Sequence, residues 1–85
     1  MAGRPVKVTI TYCAECGYDV QALALAGDLL RACAYDLSSV ELLPWYEGSF
    51  EVSVGGELVH SMYRDGGFPE SAPIIAAVRA HTGAA

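Results

Sequence analysis

Two cysteines three residues apart, within Thr11-Tyr12-Cys13-Ala14-Glu15-Cys16-Gly17-Tyr18, separate an alternating run from a long Ala- and Leu-rich run. In an extended chain such residues lie roughly 10 Å apart, at ~3.3 Å rise per residue, whereas a disulfide wants Cα atoms about 4.4 to 6.8 Å apart. The chain must therefore bend between Cys13 and Cys16 if the sulfurs are to join. Gly17 frees the backbone there, and Asp19 is a residue type that caps helices. This pattern predicts that Cys13 and Cys16 sit at a helix N-terminus, where unpaired N–H groups and the helix dipole favour a thiolate. Glu15 lies between them and no Lys, Arg or His is adjacent. Like-charge repulsion opposes ionisation, so the expectation is a mild exchanger and not a strong oxidant.

A chain of 85 residues is read as one domain, residues 1–85, with flexible ends at 1–4 and 83–85. Five basic against ten acidic side chains give a net charge of −5 and no basic run. Phosphate backbones and anionic membranes reward clustered Lys and Arg, so neither nucleic acid nor membrane is expected as a partner. The longest weakly polar stretch, residues 20–35, is broken by Asp28 and Arg31 and falls short of the ~20 apolar residues of a membrane span. Residues 1–5 lead straight into a strand pattern with no apolar leader, which predicts a cytoplasmic location. In that reducing compartment, three cysteines with one close pair suit a redox dithiol better than a structural disulfide framework.

Residues 5–12 alternate, with Val6, Val8, Ile10 and Tyr12 on one face and Lys7, Thr9 and Thr11 on the other, as in a half-buried strand. From Asp19 to Tyr35 the spacing predicts a helix. Placing Gln21, Asp28, Arg31 and Tyr35 outward leaves Val20, Leu23, Ala24, Gly27, Leu30 and Ala34 as the buried stripe, flanked by Leu25, Leu29 and Cys33. That apolar surface is wider than one sheet needs, and it reads first as a broad core helix and second as a surface of which part meets a second copy or a partner. After a connection at 36–39, residues 40–43 read as a strand joined by a right-handed parallel crossover. Residues 44–49 form a loop with Trp45 and Tyr46. Residues 50–54, Gly55-Gly56 and residues 57–61 form a hairpin, in which a bare two-glycine turn sets Val52 opposite Val59 and Glu51 opposite an exposed His60. Gly66-Gly67-Phe68-Pro69 ends this region. Ser71 and Pro73 open a last helix that turns Ile74, Ala77, Val78 and His81 inward and stops at Gly83. The expected fold is α/β (α+β), β-α-β-β-β-α, with a four-stranded mixed sheet and both helices on one face.

That order is the thioredoxin-like core in reduced form, and the chain resembles selenoprotein W and its Cys-containing bacterial relatives, the Rdx family. The resemblance rests on residues 12–18, on Phe50-Glu51-Val52 leading through the glycine turn to Leu58-Val59-His60-Ser61, and on Gly67-Phe68-Pro69. It implies thiol-linked redox chemistry, with glutathione or protein thiols as partners and no cofactor. Cys16 falls where animal members carry selenocysteine, so the resemblance nominates Cys16 as the reactive atom and Cys13 as its resolving partner. General thioredoxin logic nominates Cys13 instead, as the more exposed sulfur. Tyr12, Gly17, Phe68 and Pro69 are the neighbours expected to contact substrate or partner.

Other readings of the same residues stay open. Cys-x-x-Cys is also half of a zinc site, but the further ligands would have to come from Cys33, His60 and His81 on separate elements, so no metal is expected. Cys33 reads as a small buried hydrophobe or a glutathionylation site, and His60 as a proton-transfer aid or a surface residue. Trp45 and Tyr46 read as loop anchors or partner contacts. The two functional readings are a thiol-disulfide oxidoreductase and a non-enzymatic adaptor whose binding depends on redox state.

Overall fold

The computed structural model describes residues 4–83, so the expectation of flexible ends falls mostly outside the described residues. Strand β1 (Val6–Cys13) is followed by helix α1 (Asp19–Cys33), a 3-10 turn (Ala34–Asp36) and β2 (Leu37–Trp45). Then come β3 (Phe50–Val54), β4 (Glu57–Ser61), a single helical turn α2 (Met62–Asp65) and α3 (Ser71–Thr82). The sheet order is β2-β1-β3-β4. The crossover through α1 makes β1 and β2 parallel, with Val8 beside Val40 and Ile10 beside Leu42. β3 is antiparallel to both β1 and β4, which gives the mixed four-stranded sheet that the residue pattern predicts.

Alternation decides which face is covered. Val8, Ile10, Phe50, Val52 and Val54 are buried in one cluster with Leu25 and Leu29 of α1 and Ile74 and Val78 of α3. On the other face Lys7 pairs with Glu41 at 3.1 Å, and the Thr9 hydroxyl donates to the same carboxylate. Both long helices therefore lie on one face of the sheet. None of the helices among the described residues is long and apolar enough to cross a membrane.

Four local expectations are corrected. Helix α1 is rotated from the expected stripe: Ala22, Leu25, Ala26, Leu29 and Cys33 are buried, whereas Val20, Leu23 and Leu30 are 66%, 59% and 53% exposed. The helix is apolar nearly all round, so its polar residues are poor markers of the outward side; Asp28 is half-buried and accepts a hydrogen bond from the Ser71 hydroxyl of α3. Strand β2 is longer than 40–43 and includes Pro44, which an edge strand tolerates because a ladder forms on one side only. In β4 the register slips by one residue: Ser53 faces Leu58 but Val52 faces His60, so Val59 is an inserted bulge residue. That bulge turns His60 into the protein, 8% exposed, instead of leaving it opposite Glu51 on the surface. Finally, α3 buries Ile74, Val78 and Thr82, while His81 is exposed and lies over the hairpin turn.

The hairpin turn has φ of 59° at Gly55 and 86° at Gly56, the pair of left-handed residues whose twist matches the flanking strands. A Cβ built on Gly55 would also overlap the His81 imidazole. Gly55→Ala should therefore cost about 1–2 kcal/mol from its left-handed backbone alone, read as a lower urea midpoint. His81→Ala in the same background should recover only the steric part. An unchanged midpoint for the single variant would contradict this account of the turn.

Candidate functional site

Cys13 is the last residue of β1, and the chain then winds through residues 14–18 before α1 begins at Asp19. Two backbone bonds close this turn: Tyr18 N–H donates to the Cys13 carbonyl at 3.2 Å, and Gly17 N–H to the Ala14 carbonyl at 3.1 Å. With Gly17 at φ 78°, this is the glycine closure that usually ends a helix, here wrapped around a single turn. The closure brings the Cα atoms of Cys13 and Cys16 to 5.3 Å, and their sulfurs form a disulfide. The dithiol thus precedes the helix instead of occupying its first turn. Tyr18 is the cap residue and Asp19 is already helical, so the N–H groups of Gly17 and Tyr18 serve the turn and not a thiolate.

The turn is anchored from the β2–β3 connection. Cys13 N–H donates to the Ser49 carbonyl at 2.8 Å, and Ala14 N–H donates to the Trp45 carbonyl at 3.0 Å. The Cys13 side chain is buried, 0% exposed, although it follows Lys7, Thr9 and Thr11 in the alternation of β1, whereas Cys16 lies exposed on the turn. Beside it, Phe68 makes edge-on ring contacts with Tyr18 at 4.9 Å and with the buried Phe50 at 5.1 Å. The loop carrying Phe68 and Pro69 is thereby brought against the dithiol turn. Tyr12, next to Cys13 on β1, is half-buried against the core. Trp45 and Tyr46, 58% and 61% exposed, meet edge-on at 5.5 Å in the connection that anchors the turn.

The loop of Phe68 is held by groups to which the sequence pattern assigns no such role. Buried His60 donates from Nε2 to the Gly67 carbonyl at 2.9 Å, and its Nδ1 lies 3.6 Å from Asp65 Oδ2. Asp65 also accepts from Ser61 N–H at 3.0 Å and is gripped by the Arg64 guanidinium at 2.8 and 2.9 Å. Arg64 first, and then the Ser61 amide, hold the Asp65 carboxyl down at about 2. Glu51 accepts from the Ser61 hydroxyl and from Met62 N–H, fastening α2 to the sheet. His60 is therefore a structural tie beneath the Phe68 loop. Only the bulge reveals this, because strict alternation puts the residue outside.

Cys33 stands apart from the pair, buried on α1, with its thiol donating to the Leu29 carbonyl at 3.3 Å. Burial, and secondarily Asp36, push that thiol above its ordinary value of 9.0. Among the described residues, no three His, Cys, Asp or Glu side chains converge as a metal site would need.

Comparison with known proteins adds a relationship to this geometry. The model of the Rdx family matches residues 7–80. The chain belongs to the Rdx family. It is 32% identical over 77 residues to migration and invasion enhancer 1 of Bos taurus, covering 91% of this chain and 65% of that protein. The mouse (Mus musculus) protein of the same name is 32% identical over 78 residues, 92% of this chain and 66% of its own length. The chain thus spans a little under two thirds of these curated relatives. Among solved structures, a selenoprotein W-related protein from Vibrio cholerae superposes with a TM-score of 0.88 at 26% identity, covering 93% of this chain and 99% of that one. A Bordetella parapertussis protein superposes with a TM-score of 0.85 at 33% identity, covering 92% and 99%. Rdx membership together with the joined Cys13–Cys16 pair supports a thiol redox role.

Two measurements check this description of the site. In the reduced native protein Cys16 should be alkylated readily, while buried Cys13 and Cys33, the latter also less acidic than usual, should resist until the protein is unfolded; rapid modification of all three would contradict it. Asp65 is held near 2 in the folded state against an ordinary 3.8, so its stabilisation is present above 3.8 and lost as pH falls towards 2. The stability gap between the native chain and Asp65→Asn, measured by urea unfolding, should accordingly narrow as pH falls through that interval; a gap that does not change between about pH 4 and 2 would contradict it.

Proposed function

We propose that this chain is a thiol-disulfide oxidoreductase in which Cys16 is the exchanging sulfur and Cys13 resolves the mixed disulfide. The observation that carries this reading is the difference in access: Cys16 is exposed at the turn, while Cys13 is fully buried at the end of β1. Disulfide exchange requires a thiolate to approach a sulfur of the other molecule directly, and of the pair only Cys16 offers that approach. Once Cys16 is joined to a partner, Cys13 is already placed to displace it, since the closed turn holds the two residues at disulfide range. Proximity of this kind makes the second step intramolecular and fast.

The exchange partners would be glutathione or protein thiols, in a reducing cytoplasm, with no cofactor beyond the two sulfurs. Tyr12, Gly17, Phe68 and Pro69 would form the immediate surround of the incoming disulfide: Gly17 by keeping the turn closed, and Phe68 with Pro69 through contact with Tyr18. The family relationship supports the chemistry, and the access difference supports the order of events.

The test is trapping with single Cys→Ser variants. Cys13→Ser should accumulate a stable mixed disulfide on Cys16 when challenged with a disulfide, visible by mass spectrometry as an adduct released by dithiothreitol. Cys16→Ser should form little adduct. The reverse pattern would overturn the assignment of roles, and no adduct on either variant would remove the oxidoreductase reading.

A further inference from the structure

We propose that the dithiol end selects cationic protein disulfides, in which Lys or Arg flanks the oxidised cysteine, over anionic disulfides such as oxidised glutathione. This names the substrate class for the site above and rests on its reading as a thiol-disulfide oxidoreductase.

The charges of the chain are divided along its length. Lys7 stands at the start of β1, six residues before Cys13, and is paired with Glu41. Arg31 is in the last turn of α1, paired with Asp28, and Arg79 donates to the Ala32 carbonyl at the same end. At about 1.5 Å per helical residue, Arg31 is some 18 Å along α1 from Asp19. Arg4 precedes β1 and so belongs to that far end as well. Of the five cations only Arg64 lies at the dithiol end, and Asp65 pairs with it through two bonds, from Nε and Nη2, along one edge of its guanidinium.

The dithiol end carries the opposite sign. Glu15 sits between the cysteines, Asp19 begins α1, and Glu47 follows Trp45 and Tyr46 in the loop that anchors the turn. All three are exposed, and none takes part in an ion pair among the described residues. Burial first, and then the carboxylates of Glu47 and Glu51, push the phenol of neighbouring Tyr63 up, a local sign of that negative field. The Tyr63 hydroxyl donates to the Glu47 carbonyl at 2.7 Å, which fixes the two side by side. Trp45 and Tyr46 present exposed rings on the same loop, and aromatic faces attract guanidinium and ammonium groups. Exposed carboxylates and open aromatic rings beside one reactive sulfur are the complement of a basic segment. Oxidised glutathione carries a net charge of about −2 at pH 7 by ordinary group pKa values, and the described surface around Cys16 offers it no unpaired cation.

The exchange balances as follows. The Cys16 thiolate attacks one sulfur of the substrate disulfide; the S–S bond breaks, and the departing thiolate takes a proton. The Cys13 thiol, giving its proton to solvent, attacks Cys16 Sγ and releases the second substrate sulfur, which is protonated in turn. The substrate disulfide gains two electrons and two protons, and the dithiol loses the same to become the Cys13–Cys16 disulfide. A low-molecular dithiol such as dithiothreitol returns it to the reduced state.

The experiment follows oxidation of the reduced chain by three probes: two peptide disulfides of equal length with Lys or Glu flanks, and oxidised glutathione. Each rate is divided by that probe's rate with dithiothreitol, which removes differences in intrinsic reactivity. At low ionic strength the Lys probe should be about tenfold faster than the other two, in the range expected of electrostatic steering. The ratio should fall towards one in about 1 M salt, where the screening length is about 3 Å. The variant Glu15→Gln/Asp19→Asn/Glu47→Gln, with folding checked by circular dichroism, should show the same loss. Equal normalised rates at low salt, or a preference unmoved by salt and by the variant, would overturn the inference and leave the oxidoreductase reading standing. If no probe oxidises the dithiol, both fall together.

Discussion

The site depends on how the backbone is closed between β1 and α1. Two hydrogen bonds across residues 13–18 and a left-handed Gly17 wind the Cys-x-x-Cys into one compact turn. Two more, from Cys13 to Ser49 and from Ala14 to Trp45, dock that turn on the β2–β3 connection. In that docked turn the Cys13 sulfur is buried, although it has the parity of Lys7, Thr9 and Thr11 in the strand, and Cys16 stays out. An inner and an outer sulfur at disulfide range is what a two-step exchange needs: one to meet the partner and one to release it.

The remainder of the fold can be read as support for that turn. Phe68 connects the turn to the core through Tyr18 on one side and Phe50 on the other, and His60 ties the loop of Phe68 to β4. The bulge at Val59 is what brings His60 inward, so a local irregularity in an edge strand reaches the redox site through a short chain of contacts. Glu51 and Asp65 complete the brace by meeting the amides of Met62 and Ser61 at the end of β4. Cys33 is distant in role: buried and hydrogen-bonded within its own helix, it packs as a small hydrophobe.

Much of this was legible in the residues, and the misreadings have physical causes. The alternation of Val6, Val8 and Ile10, the paired glycines at 55 and 56, and Gly83 after the last helix each specify a local geometry with few alternatives. The Cys-x-x-Cys spacing required a bend, and the bend is there. The orientation of α1 was not legible, because a helix with apolar residues on every side has no unique inward face until α3, β1 and β2 select one. The burial of His60 was not legible, because counting by twos assumes that no residue is inserted, and nothing in Leu58-Val59-His60 marks a bulge. The short α2 has too few residues to show a period, and Pro44 masked an edge strand. The unequal exposure of Cys13 and Cys16 was not legible either, because counting by twos puts Cys13 on the face of Lys7, Thr9 and Thr11 and no motif encodes its burial.

The most direct test of the whole account is an equilibrium redox titration of the full chain against a dithiothreitol buffer, with the oxidised site mapped by mass spectrometry. The account predicts one reversible two-electron transition, about 30 mV per tenfold change in the ratio of oxidised to reduced protein, confined to Cys13 and Cys16, with Cys33 remaining a thiol throughout. A pair that fails to cycle, or a transition that engages Cys33, would contradict it.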